Sequence, residues 1–90
     1  MTVALEQKLA FKLAYKKLHA NQRDAAHQAI RVVLADPAIG QEMKDDLAGV
    51  FVYKFDCVNQ EFLLAYQSNA SKRVLLALGL HENFYRDLKG

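Results

Sequence analysis

The spacing of apolar residues changes along the chain, and the change falls near the single proline, Pro37. Before Pro37 the apolar residues recur every three or four positions, which is typical of helices. After Gly40 the apolar runs are short and rich in β-branched and aromatic residues, which is typical of strands. The pattern predicts one α+β domain over residues 1–90, with a helical hairpin packed on a small antiparallel sheet.

The first helix is predicted over residues 6–18, from two apolar stripes. One has four-residue spacing and the other follows the i, i+3, i+4, i+7 pattern. The members are Leu5, Leu9 and Leu13 in the first stripe and Phe11, Ala14, Tyr15 and Leu18 in the second. The stretch HANQRD interrupts this pattern and predicts the turn between two antiparallel helices.

A second helix is predicted from an N-cap at Asn21 to about Ala35. Asparagine is a favoured N-cap, and Asp24 three residues later suits the helix dipole. The helix should end at Asp36, because a residue before proline is pushed out of the α region. Its expected buried stripe is Ala26, Ala29, Ile30 and Val33.

The second half of the chain predicts a three-strand antiparallel meander after a polar connection, QEMKDD. The strands are LAGVFVYKF, EFLLAYQ and KRVLLALG, separated by the turns DCVNQ and SNAS. Residues 2–5 fit a fourth, N-terminal edge strand, although four residues leave that assignment open. The segments FLLAY and VLLAL are apolar at consecutive positions, so both faces of the sheet centre should be covered. The helical hairpin covers one face, and a short C-terminal helix after Leu80 is expected on the other.

In the first of these strands, alternation assigns side chains to opposite faces. Phe51, Tyr53 and Phe55 share one face, while Val50, Val52 and Lys54 share the other. The aromatic row is either core against the helices or a groove for a partner's apolar side chains.

Composition bears on the number of domains and on the cellular compartment. The chain is 52% apolar, enough for one core in 90 residues, and its formal charge of +2 is only a weak indication of an anionic partner. Cys57 is the single cysteine, so no internal disulfide is expected. The sequence has neither the apolar run of roughly 18 residues that a membrane helix needs nor a leader-like N-terminus, so a cytoplasmic protein is expected.

Three stretches together resemble the RelE/ParE superfamily of bacterial type II toxin–antitoxin toxins: DLAGVFVYKF, EFLLAY and LLALGLHENFYRDLK. The resemblance covers nearly the whole chain and implies a cytoplasmic toxin held inactive by a cognate antitoxin. The resemblance leaves three alternatives for the function. RelE-like members cut mRNA on the ribosome without a metal, ParE-like members inhibit DNA gyrase, and an inactive homologue would only bind the antitoxin. The expectation is a ribosome-dependent endoribonuclease that inhibits translation.

Metal-free RNA cleavage needs a base for the 2′-hydroxyl, cations for the phosphate and an acid for the leaving oxygen. The resemblance places His81 in the acid or base role, and an imidazole can serve either way at neutral pH. Tyr85 and Arg86 are predicted to contact phosphate or base, and Lys54 to act as a supporting cation. The alternative reading is structural, with His81 a capping or surface residue and Tyr85 part of a helix underside. No metal or cofactor is expected.

Three further observations bear on this site. The superfamily nucleases carry basic residues where this chain has Phe51 and Asp56, which weakens the nuclease reading. His19 and His27 lack the neighbouring ligands of a metal site. Lysines 8, 12 and 16 share a helical face, which is either solvated or a contact for RNA phosphates.

Overall fold

The computed structural model describes residues 4–44, 48–57, 59–68 and 71–80. Two helices and five strands follow one another in this part of the chain. They are β1 Ala4–Gln7, α1 Leu9–Lys16, α2 Ala20–Ala35, β2 Gln41–Glu42, β3 Phe51–Cys57, β4 Gln60–Ser68 and β5 Lys72–Leu80. The predicted α+β class and the β3–β4–β5 meander are confirmed.

The described strands form one sheet in the order β1-β5-β4-β3-β2. Strands β2 to β5 pair with antiparallel neighbours, whereas β1 lies parallel to β5, with Ala4 opposite Lys72. The sheet is therefore mixed, which corrects the prediction of a purely antiparallel one. The fourth strand at the N-terminal edge is present. Part of QEMKDD, predicted as a connection, pairs as β2, because Gln41 and Glu42 find partners in Val52 and Phe51.

The sheet has two distinct faces, and the predicted alternation in β3 is confirmed. Phe51, Tyr53 and Phe55 pack into the core cluster that contains the helix residues; we call this side the helix face. Val50 and Val52 belong to a second cluster on the opposite side, the far face. Both faces are buried at the sheet centre, as the apolar segments of β4 and β5 indicated: Leu63 on the far face and Tyr66 on the helix face are each 0% exposed.

The helix-face core joins both helices to the three central strands. Its buried members are Phe11, Ala26, Ala29, Val33, Leu64, Tyr66, Leu75 and Leu78. Burying a side chain as large as phenylalanine contributes about 1.5–3 kcal/mol to folding. The predicted α2 stripe is confirmed, with Ile30 packed at the margin of the cluster.

The leucine stripe predicted for the first helix is wrong. Leu9 is 69% exposed and Leu13 is 50% exposed, because each lies two residues, or about 200°, around the helix from the buried Phe11. Leu5 is not helical at all, since β1 continues to Gln7 and the helix begins only at Leu9. The buried side of α1 is the second predicted stripe, in which Ala14, Tyr15 and Leu18 accompany Phe11.

The start of α2 also differs from the prediction. His19, not Asn21, is the N-cap, with extended backbone angles of φ −72° and ψ 165°. The backbone N–H of His19 donates to Oε1 of Gln22 at 2.8 Å, which satisfies one of the donors that a helix start leaves free. Asn21 lies inside the first turn, where its Oδ1 accepts from the N–H of Gln22 at 3.0 Å. The helix ends at Ala35, one residue before Asp36 and Pro37, as predicted.

A buried tyrosine fixes the chain where it leaves α2. The hydroxyl of Tyr66 donates to the carbonyl oxygen of Pro37 at 2.7 Å and accepts from the N–H of Gly40 at 3.0 Å. A Cβ on Gly40 would lie 2.5 Å from that hydroxyl oxygen, so the position requires glycine. The Tyr66 side chain, on the central strand β4, therefore fixes the path of the chain toward β2.

The predicted C-terminal helix falls on residues 81–89, which lie outside the described residues. Neither helix in the described part of the chain is long and apolar enough to span a membrane.

Candidate functional site

Lys54 is the one predicted site residue that lies within the described segments. Alternation along β3 places it on the far face with Val50 and Val52, and its side chain is exposed. Lys54 pairs with Leu63 of β4, and Leu63 pairs with Gly79 of β5. Lys54 is therefore in register with the C-terminal end of β5.

A cleft of about 280 Å³ borders Lys54 at the β2–β3 edge of the sheet. It is lined by Ile39, Gln41, Val52, Tyr53 and Lys54. Because β2 is only two residues long, it covers β3 at Phe51 and Val52 and leaves the strand beyond them unpaired on that side within the described residues. Gln41 was not predicted as a lining residue, since it comes to the site only by the pairing of β2 with β3.

Two carboxylates lie near Lys54. Asp56 follows it by two positions on β3 and so shares the far face, and Asp56 pairs directly with Glu61 of β4. Both side chains are exposed. A carboxylate can take a proton from a hydroxyl, but its negative charge also repels a phosphate group. From the sequence, Asp56 is only an acidic residue where a cation is expected; its pairing with Glu61 arises from the sheet register, which depends on the length of the β3–β4 turn.

His81, Tyr85 and Arg86 lie outside the described residues, so their placement relative to Lys54 stays a prediction. The described chain ends at Leu80, the residue before His81 in the sequence. Lys54 and Gly79 thus mark the described border of the candidate site.

The aromatic row of β3 packs against the helix-face core, as the first of its two readings expects, and Tyr53 also lines the cleft beside Lys54. Phe51 stacks on Tyr66 with ring centroids 5.6 Å apart, and Phe55 stacks on Phe62 at the same distance. Because Phe51 points to the helix face, a basic residue at this position would lie on the side of the sheet opposite Lys54. The aromatic residue at position 51 therefore removes no cation from the far face.

The histidines of the helices have local partners. His27 stacks on Tyr15, with centroids 5.5 Å apart, and its Nε2 shares a hydrogen bond with the tyrosine hydroxyl. Among the residues that the structure describes, no group of three or more histidine, cysteine or acidic side chains is placed to hold a metal ion. Cys57 points its Sγ toward the carbonyl oxygen of Asn21, at 3.7 Å, which ties the end of β3 to the start of α2.

The predicted lysine stripe does not stay together on one helix. Lys12 and Lys16 are exposed on α1, whereas Lys8 precedes the helix and forms an ion pair with Glu6 of β1, 3.6 Å from Nζ to Oε2. Among the described residues, Lys54 lies at one end of the far face, and Lys8 and Lys72 lie beside Glu6 at the other.

Comparison with known proteins agrees on one family and one fold. The family model described as "ParE-like toxin of type II bacterial toxin-antitoxin system" matches residues 5–89 of the chain. No curated protein matches the sequence significantly.

Several solved structures share the fold. E. coli RelE in its RelBE toxin–antitoxin complex has a TM-score of 0.71 and 17% identity, over 90% of this chain and 99% of that one. A mutant of E. coli RelE in the free state has a TM-score of 0.75 and 16% identity, over 99% of this chain and 92% of that one. The YoeB/ParE toxin from Agrobacterium tumefaciens has a TM-score of 0.68 and 16% identity, over 88% and 99%.

Proposed function

The chain belongs to the ParE-like toxins of type II bacterial toxin–antitoxin systems, and from that premise we propose that it is a metal-free mRNA endonuclease that acts on the ribosome. The observation that carries this proposal is the exposed Lys54 on the far face, level with the end of β5, which runs directly into His81. In the sequence, the residue after the end of β5 is His81, the proposed acid or base, and this adjacency supports the proposal.

The proposed chemistry is attack of a 2′-hydroxyl on the adjacent phosphorus. His81 takes the hydroxyl proton or gives a proton to the leaving 5′-oxygen. Arg86 and Lys54 stabilise the negative charge that develops on the phosphate oxygens. Tyr85 orients the phosphate or stacks on a base. Asp56 and Glu61 are second candidates for the base, because both are exposed on the far face near Lys54.

We further propose that a cognate antitoxin neutralises the protein and that both act in the cytoplasm. The structural relative in the RelBE complex is itself bound to its antitoxin. The exposed leucines of α1, Leu9 and Leu13, are apolar surface that such a partner would cover.

Expression of His81→Ala without the antitoxin tests the function. We expect growth arrest to disappear and mRNA cleavage on purified ribosomes to stop, while the variant still folds and binds the antitoxin. The matched control is His27→Asn, which changes an exposed histidine on the other side of the sheet and should stay toxic. A His81→Ala variant that still cuts mRNA at the normal rate would show the proposal to be wrong. A wild-type chain that is harmless without antitoxin would indicate an inactive homologue.

One observation favours a second function, inhibition of DNA gyrase. The pair Asp56 and Glu61 places two carboxylates beside Lys54, and these reduce the positive potential available to an RNA phosphate. A toxin that binds a protein target needs no such potential. Induction should then cause DNA damage signalling while translation continues, and the purified chain should inhibit gyrase supercoiling. Unchanged supercoiling at a large excess of toxin would exclude this alternative.

A further inference from the structure

A second, polar cleft of about 420 Å³ lies on the far face, at the end of the sheet opposite Lys54. We call it the basic cleft. The end of β1, the end of β4, the start of β5 and the turn before β3 meet there. Its lining residues are Glu6, Lys8, Gly49, Gln67, Ser68, Lys72 and Val74.

The basic cleft has two ammonium groups that share one carboxylate. Glu6 lies 3.6 Å from Nζ of Lys8 through Oε2 and 3.8 Å from Nζ of Lys72 through Oε1. All three side chains are about half exposed, and exposed ion pairs of this length contribute little to stability. The set carries a net charge of +1, and another anion can replace the Glu6 carboxylate at small cost.

The shape of the basic cleft depends on the parallel pairing of β1 with β5. That register sets Glu6 opposite Val74 and brings Lys72 beside β1. Gly49, with a φ of 90°, forms one wall, and no atom lies within 4 Å of the position that its Cβ would occupy. The wall is therefore open, and the Gln67 amide and Ser68 hydroxyl add hydrogen-bond donors to the two ammonium groups.

We propose that the basic cleft binds a backbone phosphate of the same single-stranded RNA whose cleavage is proposed at Lys54. This inference rests on the proposed function and adds a second contact to it. Lys54 is level with Leu63 of β4, and Glu6 is level with Gln67, four residues further along that strand. The two places are thus separated by about 13 Å along the strands and, over the three strand spacings from β3 to β1, by about 14 Å across them, which is roughly 20 Å in all. A few nucleotides span that distance, so one RNA strand reaches both ends of the far face.

Binding of a labelled single-stranded RNA to the full-length chain, followed by fluorescence anisotropy over a range of salt concentrations, tests the inference. The double variant Lys8→Ala/Lys72→Ala should bind more weakly, and the magnitude of its slope of log K against log salt should fall by about 0.7, the contribution of one phosphate contact on a single strand. The double control Lys17→Ala/Arg31→Ala removes the same two positive charges from exposed positions at the helices and should keep the slope of the wild type.

Glu6→Gln separates RNA binding from a structural role of the ion pairs. It removes the competing carboxylate, so RNA should bind more tightly at every salt concentration. If the ion pairs are only structural, with the Glu6–Lys72 pair holding β1 to β5, the same variant leaves RNA affinity unchanged or lowers it, and the inference is overturned. The inference is also overturned if the double variant keeps the wild-type slope, or if its only loss is in affinity for the antitoxin.

Ribosomal cleavage of a reporter mRNA distinguishes failure of this inference from failure of the proposed function. If the wild-type chain cuts the reporter and the cleft variants bind RNA as tightly as it does, the basic cleft is not an RNA site and the function stands. If the wild-type chain cuts no mRNA but RNA affinity follows the cleft variants as described, the phosphate site stands and the proposed reaction is wrong.

Discussion

The clearest test of the fold is removal of one hydroxyl group, in Tyr66→Phe. That hydroxyl makes two hydrogen bonds, to the carbonyl of Pro37 and from the N–H of Gly40. A net hydrogen bond contributes about 0.5–1.5 kcal/mol, so the substitution should lower the free energy of unfolding by about 1–3 kcal/mol. A 90-residue domain has about 5–13 kcal/mol in total, so the loss is large enough to measure.

Urea unfolding followed by circular dichroism measures the effect. Tyr53→Phe is the matched control, because within the described residues the hydroxyl of Tyr53 has no hydrogen-bond partner and the side chain is only half buried. It should change the stability by less than about 0.5 kcal/mol. Equal effects of the two substitutions would refute the assignment of a fixing role to the Tyr66 hydroxyl.

A second substitution tests the geometry behind this estimate. In Gly40→Ala the new methyl group would lie 2.5 Å from the Tyr66 oxygen, so the variant should be destabilised. In the Tyr66→Phe background the same change meets no hydroxyl and should cost less. If the two substitutions are additive, the close approach of Gly40 to the hydroxyl is not what restricts position 40.

The pH dependence gives an independent check. Burial, with a smaller effect from Asp36, raises the pKa of Tyr66 above the ordinary 10.0. A pKa raised by folding means that the neutral phenol is favoured in the folded state. The stability from this group is then complete below pH 10 and is lost as the pH rises through the folded-state pKa. The difference in unfolding free energy between wild type and Tyr66→Phe should therefore be constant at neutral pH and shrink above about pH 10.

The remaining predictions concern α1, the start of α2 and the site. Phe11→Ala should cost about 3–5 kcal/mol, and Leu9→Ala, on the exposed side of the same helix, less than about 0.5 kcal/mol; similar losses in urea unfolding would mean that α1 is rotated. Gln22→Ala should lower stability by about 0.5–1 kcal/mol, because the His19 N–H loses its acceptor; an unchanged unfolding midpoint would argue against the cap. Lys54→Ala should slow mRNA cleavage by roughly 10- to 100-fold, less than an enclosed donor would because Lys54 is exposed, and Lys17→Ala should not; equal rates for both variants would remove Lys54 from the site.

Sequence periodicity predicted those elements whose burial is decided locally. The faces of β3 followed from alternation alone, since Val52 and Tyr53 contact different cores. The α2 stripe followed in the same way. The prediction of a buried leucine stripe on α1 was wrong, because Leu9 and Leu13 have the spacing of a buried stripe. Only the tertiary position of Phe11 shows which side of the helix is covered.

The sequence left an N-terminal edge strand open and predicted a connection where β2 lies, because β1 and β2 are only four and two residues long. Their existence depends on distant partners and not on their own sequence. The same distinction between local pattern and distant pairing applies to the far-face cations. The exposure of Lys54 on the far face was predictable from β3, whereas the grouping of Lys8, Glu6 and Lys72 depends on a register between the first strand and the last.

The parallel pairing of β1 with β5 also has a consequence for synthesis of the protein. Ala4 pairs with Lys72, which is added to the growing chain 68 residues later. At the usual elongation rate of about 5–20 residues per second, β1 waits roughly 3–14 seconds for its partner strand to be made. Throughout that time the nascent chain lacks both the edge of its sheet and the cation set beside it. The sheet is therefore incomplete at its β1 edge until at least 68 further residues have been added after Ala4.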